Sequence, residues 1–434
     1  MSCAPFRRPT NPRPRATRAL APPPGVRDTR VVPTLFLIVF VDLVGFGLVI
    51  PLLPFYAVRF AASPQEVTAL VAVYSLVQLV TAPLWGRLSD SIGRRPVLLA
   101  SLSASVLAYL WLGSATALWM LFAARAFAGA CAGNIAAAQA YIADVTGPEE
   151  RARGMGLIGA AFGLGFMIGP ALGGVLAGAD PLTADLRTPA WVAAGLSLFA
   201  LLGVALLLSE SLPADRRVDT PPRGRVGAVI GVLRRPVLSR LILIFFLVIL
   251  AVAGMQSVFA IWAMPQFGWG PRQVGYVFAY VGLISAILQG GMIGRLTRRF
   301  GEQRLLLCGL ALIAAGLLAL PFAHDMATLG PALTGLALGM GLMQPSLNSL
   351  ISRQAGAEEQ GEVMGVSQSV GSLSRVLGPF AAGFSFAALG RDSPYFLGVV
   401  LVVIPLLLAF KLPRVGATRL AEAAPFGRES GPAR

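Results

Sequence analysis

The chain has 434 residues, of which 56% are hydrophobic and 13% are charged, about half the charged fraction of a typical soluble domain. This composition argues against a soluble enzyme. All basic residues except Lys411 are arginine, so no GxxxxGK phosphate loop exists and a built-in ATP motor is excluded. The three cysteines lie far apart and His324 is the single histidine, so we expect neither a metal site nor a cofactor.

Apolar runs long enough for the roughly 20 helical residues that cross a bilayer recur along the chain. Residues 1–31, which precede them, are rich in arginine and proline, which predicts a disordered tail. Twelve runs follow, near 32–55, 67–87, 97–113, 118–142, 154–178, 189–209, 239–263, 274–295, 304–323, 328–352, 363–388 and 394–412. The sequence therefore predicts an all-α membrane protein with twelve transmembrane helices.

The twelve runs fall into two related halves. A polar linker, 210–236, separates an N-terminal half (32–209) from a C-terminal half (237–412), and a second disordered tail is predicted at 413–434. Segment 86–93 matches 294–301 at an offset of 208 residues, and 169–170 matches 378–379 at an offset of 209. Duplication of a six-helix unit is typical of secondary transporters, whose substrate site lies between the halves.

The basic residues are distributed unevenly across the predicted membrane. With an even number of helices both termini share one side, and the tails and loops of that side hold 29 arginines and lysines. The opposite loops hold four, and two lie within helices, Arg125 and Arg375. The positive-inside rule therefore predicts cytoplasmic termini. The positive charge is a topology signal rather than a sign of nucleic-acid binding. The use of arginine over lysine indicates a GC-rich, bacterial coding sequence, and together with the twelve spans this predicts a bacterial inner membrane protein.

The loop between predicted helices 2 and 3 reads GRLSDSIGRRP at 86–96. This loop resembles the signature of the major facilitator superfamily, and the flanking Gln78 and Ala82-Pro83 are similar to the tetracycline/proton antiporter branch. The resemblance implies a conformational latch that joins the halves, formed by Gly86, Asp90, Gly93, Arg94, Arg95 and, at the end of helix 4, Asp144. The alternative is an arginine cluster that only fixes topology. Arg298 replaces the counterpart of Asp90 in the second half, which predicts a one-sided latch.

Two charged residues within predicted helices are candidates for proton coupling. Asp42 lies in a DLVGFG segment of helix 1 that resembles the helix-1 pattern of the same antiporter group. An acid inside a spanning helix usually faces a partner or an aqueous cavity, although a purely structural hydrogen-bonding role is the alternative. Arg125 resembles the family's helix-4 arginine and cannot lose its charge. We therefore expect Arg125 to be paired, and we hypothesise communication between Asp42 and Arg125.

Helix 5 carries a glycine-rich pattern similar to the superfamily's antiporter signature, which favours export. Its members are Gly159, Gly163, Gly169, Pro170, Gly173 and Gly174. Glycine at four-residue spacing allows close helix packing and Pro170 kinks the helix; tight packing without directional meaning is the alternative. A formal GxGxxG match at 154–159 follows no strand, so it does not predict a dinucleotide site.

Polar residues within the predicted spans are candidates for lining the substrate cavity or for bonding between helices: Asn134, Gln139, Gln256, Gln289, Gln344, Asn348 and Gln368. Three interpretations of Arg375 stay open: it faces the substrate, pairs with Asp42, or extends to the membrane surface. His324 and Asp325 are predicted to form a solvated turn. Ala108 occupies a place where tetracycline pumps carry an acid, and predicted helix 9 contains no acid, both of which weaken tetracycline as the substrate.

These observations predict export of a small amphipathic compound, tetracycline-type or multidrug, in exchange for protons by alternating access. The alternative on the same fold is an uptake symporter or facilitator for a small organic metabolite or anion. A membrane-embedded enzyme is disfavoured because the chain carries no recognisable catalytic motif. A non-transporting receptor is disfavoured because it would need neither the latch nor the duplicated halves. The expected partners are the substrate, protons and the lipid bilayer, with no nucleic acid, and the chain is expected to be a monomer.

Overall fold

The computed structural model describes residues 31–213, 231–232, 234–355 and 359–412. Within them, twelve helices are long and apolar enough to span a membrane, which confirms the predicted fold. They are α1 (Val31–Arg59), α2 (Pro64–Ile92), α3 (Arg94–Gly113), α4 (Leu118–Val145), α5 (Pro148–Ala177), α6 (Arg187–Leu207), α7 (Pro236–Phe267), α8 (Pro271–Phe300), α9 (Glu302–Phe322), α10 (Met326–Gln354), α11 (Gln360–Leu389) and α12 (Ser393–Phe410).

Local sequence signals set several helix ends. At the start of α2, the Ser63 hydroxyl accepts from the Glu66 N–H and the Glu66 carboxylate accepts from the Ser63 N–H, a capping box. Asp325 caps α10 in the same way by accepting from the Thr328 N–H at 2.9 Å. The predicted turn at His324 and Asp325 is therefore also the N-cap of a membrane helix.

Three spanning helices are interrupted. A 3₁₀ turn over Ile50–Leu52 divides α1, a π-helical segment over Leu288–Met292 divides α8, and α4 opens between Ala130 and Asn134. Such breaks are tolerated in a membrane only where other groups bond the freed backbone atoms. At the α4 break, the Ser101 hydroxyl of α3 does so: it donates to the Cys131 carbonyl at 2.6 Å and accepts from the Gly133 N–H at 2.9 Å.

The helices form two pseudo-symmetric six-helix halves. In the first half α1 packs along α5 and α3 along α6, and in the second the equivalent pairs are α7 with α11 and α9 with α12. Between the halves α5 packs on α8 and α2 on α11. The duplication that relates the halves maps α5 onto α11 and α8 onto α2, so it converts one of these contacts into the other, as expected for parallel six-helix repeats related by an axis along the membrane normal.

Among the described residues, the close contacts between the halves lie at one end. Positions 167–174 of α5 meet 271–282 of α8, where a Cβ on Gly174 would lie 2.7 Å from the Pro271 carbonyl oxygen. Nearby, the Arg272 N–H donates to the Gly178 carbonyl at 3.0 Å. Towards the other end, added Cβ atoms at Gly159, Gly163, Gly290 or Gly291 would meet no atom within 4 Å. The structure is therefore open on the side where the arginines cluster.

The predicted tails and most of the linker lie outside the described residues. They comprise 1–30, 214–230, 233 and 413–434. Their predicted disorder and cytoplasmic location stay predictions.

Candidate functional site

The predicted latch residues meet where α2 turns into α3. Arg94 lies at the first position of α3, and its guanidinium pairs with Asp90 at 2.5 Å and with Asp144 at 3.0 Å. The Arg94 side chain is 10% exposed and that of Asp90 is 52% exposed. Asp90 forms no ion pair or hydrogen bond with a described residue of the C-terminal half. In this open state the cluster therefore joins α2, α3 and α4 within one half.

Glu210, which follows α6, completes this cluster and was not recognised in the sequence. Its carboxylate accepts from the backbone N–H groups of Arg94 at 2.8 Å and Arg95 at 3.1 Å. A negative side chain at a helix N-terminus stabilises the helix. Arg95 in turn donates to the Ala205 carbonyl at 2.7 Å. The cluster thereby connects the end of α6, at Ala205, with Glu210, the first residue of the predicted linker.

The C-terminal half carries the related pair with its charges reversed. Glu302 occupies the first position of α9, matching Arg94, and Arg353 near the end of α10 matches Asp144. Their side chains pair at 2.7 Å, and Ser349 donates to Glu302 at 2.6 Å. Arg298 stands in place of an acid equivalent to Asp90, so the prediction of a one-sided latch rests on that position; the Glu302–Arg353 pair is a second-half contact that the sequence analysis did not identify. Helix α9 also begins earlier than predicted and contains one buried acid, Glu302.

Asp42 is buried in α1 and is held by neutral partners. Its carboxylate accepts from the Asn134 amide and from the Ser197 hydroxyl at 3.1 Å. Asn134 is the first residue of the second segment of α4, so the bond joins α1 directly to the helix break. Ser197, on α6, was not singled out in the sequence because serine is common in helices that pack closely.

Arg125 contacts aromatic rings rather than a carboxylate. Its guanidinium lies 4.5 Å from the Tyr74 ring centroid and 5.8 Å from that of Phe46, within the range for cation–π attraction. Arg125 forms no ion pair with Asp42 or with any other described residue. The Nε atom of Arg125 is buried and has no hydrogen-bond partner among them. The expected ion pair of Arg125 is therefore not found among the described residues, and the hypothesised communication between Asp42 and Arg125 does not involve a direct contact.

A cavity lies between the halves and brings Arg125 together with Arg375 of α11. The lining comes from α1, α2, α4, α5, α7, α8 and α11. Its members are Phe46, Gly47, Ile50, Pro51, Pro54, Val71, Tyr74, Ser75, Arg125, Phe166, Pro170, Ala253, Gln256, Ser257, Ala260, Phe278, Arg375 and Pro379. Among the described residues, the Arg375 side chain bonds only to Ser372 of its own helix, at 3.0 Å. Of the three interpretations, this favours a cavity-facing arginine.

The other polar candidates do not line this cavity, with the exception of Gln256. Asn134 binds Asp42 instead. Gln139 is exposed, and Gln344 and Asn348 are partly buried within α10. Gln289, in the π-helical segment of α8, and Gln368 are likewise exposed and absent from the lining. Polar character alone did not distinguish cavity residues from those on other helix faces.

The glycine pattern of α5 serves two different surfaces. A Cβ at Gly169 would lie 2.7 Å from the Val44 carbonyl oxygen of α1, and one at Gly173 would overlap the Leu48 carbonyl. Gly174 faces α8, whereas Gly159 and Gly163 face open space. Close packing therefore applies to the second part of the pattern, where Pro170 also lines the cavity.

Twelve spanning helices in two pseudo-symmetric halves around a central cavity define a secondary transporter fold. The chain belongs to the Major Facilitator Superfamily, whose model matches residues 35–379 and, separately, 292–428. Both the resemblance to this superfamily and the assignment to its tetracycline-resistance branch are confirmed. The protein is a multi-pass membrane transporter.

Individual relatives support this assignment. The chain is 36% identical to the class G tetracycline resistance protein of Vibrio anguillarum, covering 81% of this chain and 90% of that protein. It is 34% identical to the class C protein of Escherichia coli, covering 81% and 88%. The crystal structure of the human organic anion transporter MFSD10 is similar, with a TM-score of 0.66, 25% identity and coverage of 89% of this chain and all of that one.

Proposed function

We propose that this protein exports a small amphipathic, drug-like compound from the cytoplasm in exchange for protons. The observation that carries the proposal is the buried Asp42 carboxylate, which accepts hydrogen bonds from Asn134 and Ser197 but forms no ion pair among the described residues. Such a carboxylate takes up a proton without first breaking an ion pair. The relatives that are named tetracycline resistance proteins support a drug-like substrate and outward transport.

In this proposal, Asp42 and the cavity are connected through two helices, α1 and α4. On α1, Phe46 follows Asp42 by one helical turn and lines the cavity. On α4, Arg125 contacts the Phe46 ring, and Asn134 binds Asp42 across the helix break. Protonation of Asp42 therefore alters the helix contacts that shape the cavity, and substrate in the cavity alters the surroundings of Asp42. Alternating access couples the two events, with both termini on the cytoplasmic side.

The test is the effect of substrate on a respiration-driven pH gradient in everted membrane vesicles, whose lumen is acidic. Addition of tetracycline, or of an active compound from an amphipathic antibiotic panel, should raise the lumenal pH for the wild-type chain. We expect Asp42→Asn to abolish this response, because the amide takes up no proton. Asp180→Asn is the matched control, since Asp180 is exposed and its hydrogen bonds with described residues are to the neighbouring Leu182 and Thr183.

Three results would contradict the proposal. An undiminished response in the Asp42→Asn variant would show that this carboxylate does not carry the coupled proton. Acidification of the lumen on addition of substrate would instead indicate cotransport with protons, which is the uptake symporter. A gradient-independent flux would indicate a facilitator.

A further inference from the structure

The central cavity has an unusual charge distribution for a site in the middle of a membrane. Arg125 of α4 and Arg375 of α11 both line it, and no aspartate or glutamate is among the described residues of its lining. A charged side chain in the membrane interior is costly unless it is paired or hydrated. The two arginines come from different halves of the protein, so their charges converge only in the assembled cavity.

Arg125 is positioned as a hydrogen-bond donor that lacks an acceptor. The residue is 4% exposed, and its guanidinium is held against the faces of Tyr74 and Phe46. Stacking of this kind occupies the face of the guanidinium and leaves the N–H groups at its edge for other partners. The Nε atom is buried and has no partner. A buried charged donor left unsatisfied is expensive, so this group is suited to bind an acceptor from a ligand.

Arg375 supplies a second donor on the opposite wall. Its only hydrogen bond among the described residues is to the Ser372 hydroxyl, one turn away on α11. Arg375 is exposed to the cavity, which leaves further N–H groups available. Guanidinium groups bind carboxylates through charge-assisted hydrogen bonds that are about twice as strong as neutral ones.

We propose that the substrate of this cavity is an amphipathic aromatic anion whose carboxylate binds between Arg125 and Arg375. The apolar part of such a ligand would contact Phe46, Phe166 and Phe278, which line the same cavity. This proposal takes one point from the proposed function, which is that substrate binds in this cavity. It adds the charge class of the substrate, which neither the direction of transport nor proton coupling determines.

The test compares three dansyl probes that differ in charge: dansylglycine (an anion), dansylglycinamide (neutral) and dansyl-ethylenediamine (a cation). Equilibrium binding is measured by fluorescence anisotropy to the full chain in phosphatidylcholine nanodiscs, where no anionic lipid competes. We expect dansylglycine to bind at least about tenfold more tightly than the amide, the factor that one charge-assisted hydrogen bond supplies. The cation should bind more weakly than the amide.

Variants connect this preference to the two arginines. Arg375→Gln should remove most of the preference for the anion, and Arg375→Glu should reverse it in favour of the cation. Arg125→Gln should have the same effect as Arg375→Gln. Arg298→Gln is the control, because Arg298 lies at the end of α8 outside the cavity lining. Size-exclusion profiles and thermal unfolding identify a variant that has lost its fold, and Arg375, being exposed, is expected to tolerate replacement.

Three outcomes would overturn the proposal: equal binding of the three probes, tighter binding of the cation, or no binding of dansylglycine up to its solubility limit. Retention of the preference in both Arg375→Gln and Arg125→Gln would also overturn it. Because binding is read at equilibrium without a gradient, failure of proton-coupled export would leave these results unchanged. The two proposals can therefore fail separately.

Discussion

At Gly93 the backbone has a φ of +112° and a ψ of 166°, a region that is essentially restricted to glycine. The conformation lets the chain leave α2 and enter α3 without an intervening loop. It also brings the Glu210 carboxylate so close that a Cβ at this position would overlap one of its oxygens. The residue thus satisfies two requirements at once, a backbone conformation and a space for the carboxylate that caps α3.

Replacement of Gly93 by alanine should destabilise the N-terminal half. We expect Gly93→Ala to cost about 1–3 kcal/mol from backbone strain, with a further loss because Glu210 must move away from the α3 N-terminus. The midpoint of thermal unfolding of the purified protein in detergent measures this. Gly147→Ala is the matched control, since Gly147 has a φ of −67° and an added Cβ would meet nothing within 4 Å. Equal midpoints for the two variants would contradict the prediction.

At the scale of elements, each half joins the start of its third helix to the end of its fourth by an ion pair, but with opposite polarity. In the first half the arginine is at the helix start, where the helix dipole disfavours it, and Glu210 offsets this cost. In the second half Glu302 is at the helix start and stabilises it directly. The duplication has therefore kept the contact between the two helices while the charges exchanged places.

Loss of the second-half pair should weaken the α9–α10 contact. Arg353→Gln leaves the Glu302 carboxylate, whose side chain is 6% exposed, with Ser349 as its remaining side-chain partner. We expect a loss of about 1–3 kcal/mol, the cost of an incompletely satisfied buried group, seen as a lower unfolding midpoint.

The double variant Arg353→Gln with Glu302→Gln separates this effect from a general effect of position 353. It should recover part of the loss, because no buried charge is left unpaired. An Arg353→Gln midpoint equal to that of the wild type would contradict the prediction, as would a double variant less stable than Arg353→Gln alone.

On the scale of the whole molecule, small residues decide where the halves meet. Gly174 and Gly275 lie at the α5–α8 contact near the closed end, and Gly282 lies further along α8 against Met167. Beyond these positions the two helices separate, and added Cβ atoms at Gly159 and Gly163 of α5, or at Gly290 and Gly291 of α8, would meet nothing within 4 Å. Closure of the open end would require Gly159 and Gly163 to become the contact instead, which is consistent with rocking of one half against the other.

A bulky side chain at Gly174 should therefore disfavour the present state. We expect Gly174→Val to add an overpacking cost of about 1–3 kcal/mol to the closed end, which corresponds to a roughly 5–150-fold shift in the equilibrium between states. Spin labels at Leu182 and Met326, in a background that lacks the native cysteines, report the separation of the halves at that end by double electron–electron resonance.

The label distance should increase in Gly174→Val and stay unchanged in Gly195→Val, which is the control because an added Cβ at Gly195 would meet nothing within 4 Å. An unchanged distribution in Gly174→Val would show that this contact does not limit opening. A variant that is less stable but keeps the original distance would assign Gly174 to helix packing alone.

The sequence by itself determined the twelve helices, their division into halves and the uneven distribution of arginine. These features depend on hydropathy over about 20 residues and on charge in loops, both of which are local properties of the chain. The superfamily assignment depended equally on local segments, such as 86–96. The sequence also identified Asp42, Arg125 and Arg375 as candidate functional residues, because charged residues inside membrane helices are rare.

Only the tertiary structure decided which of these residues act together. Asp42 binds Asn134 and Ser197 rather than Arg125, and Arg125 shares a cavity with Arg375, 250 positions away along the chain. Such groupings depend on the rotation of each helix about its axis and on how the halves pack, which periodicity in one helix does not specify. The physical reason is that hydropathy is a sum over neighbouring residues, whereas a binding site depends on the directions in which side chains on separate helices point.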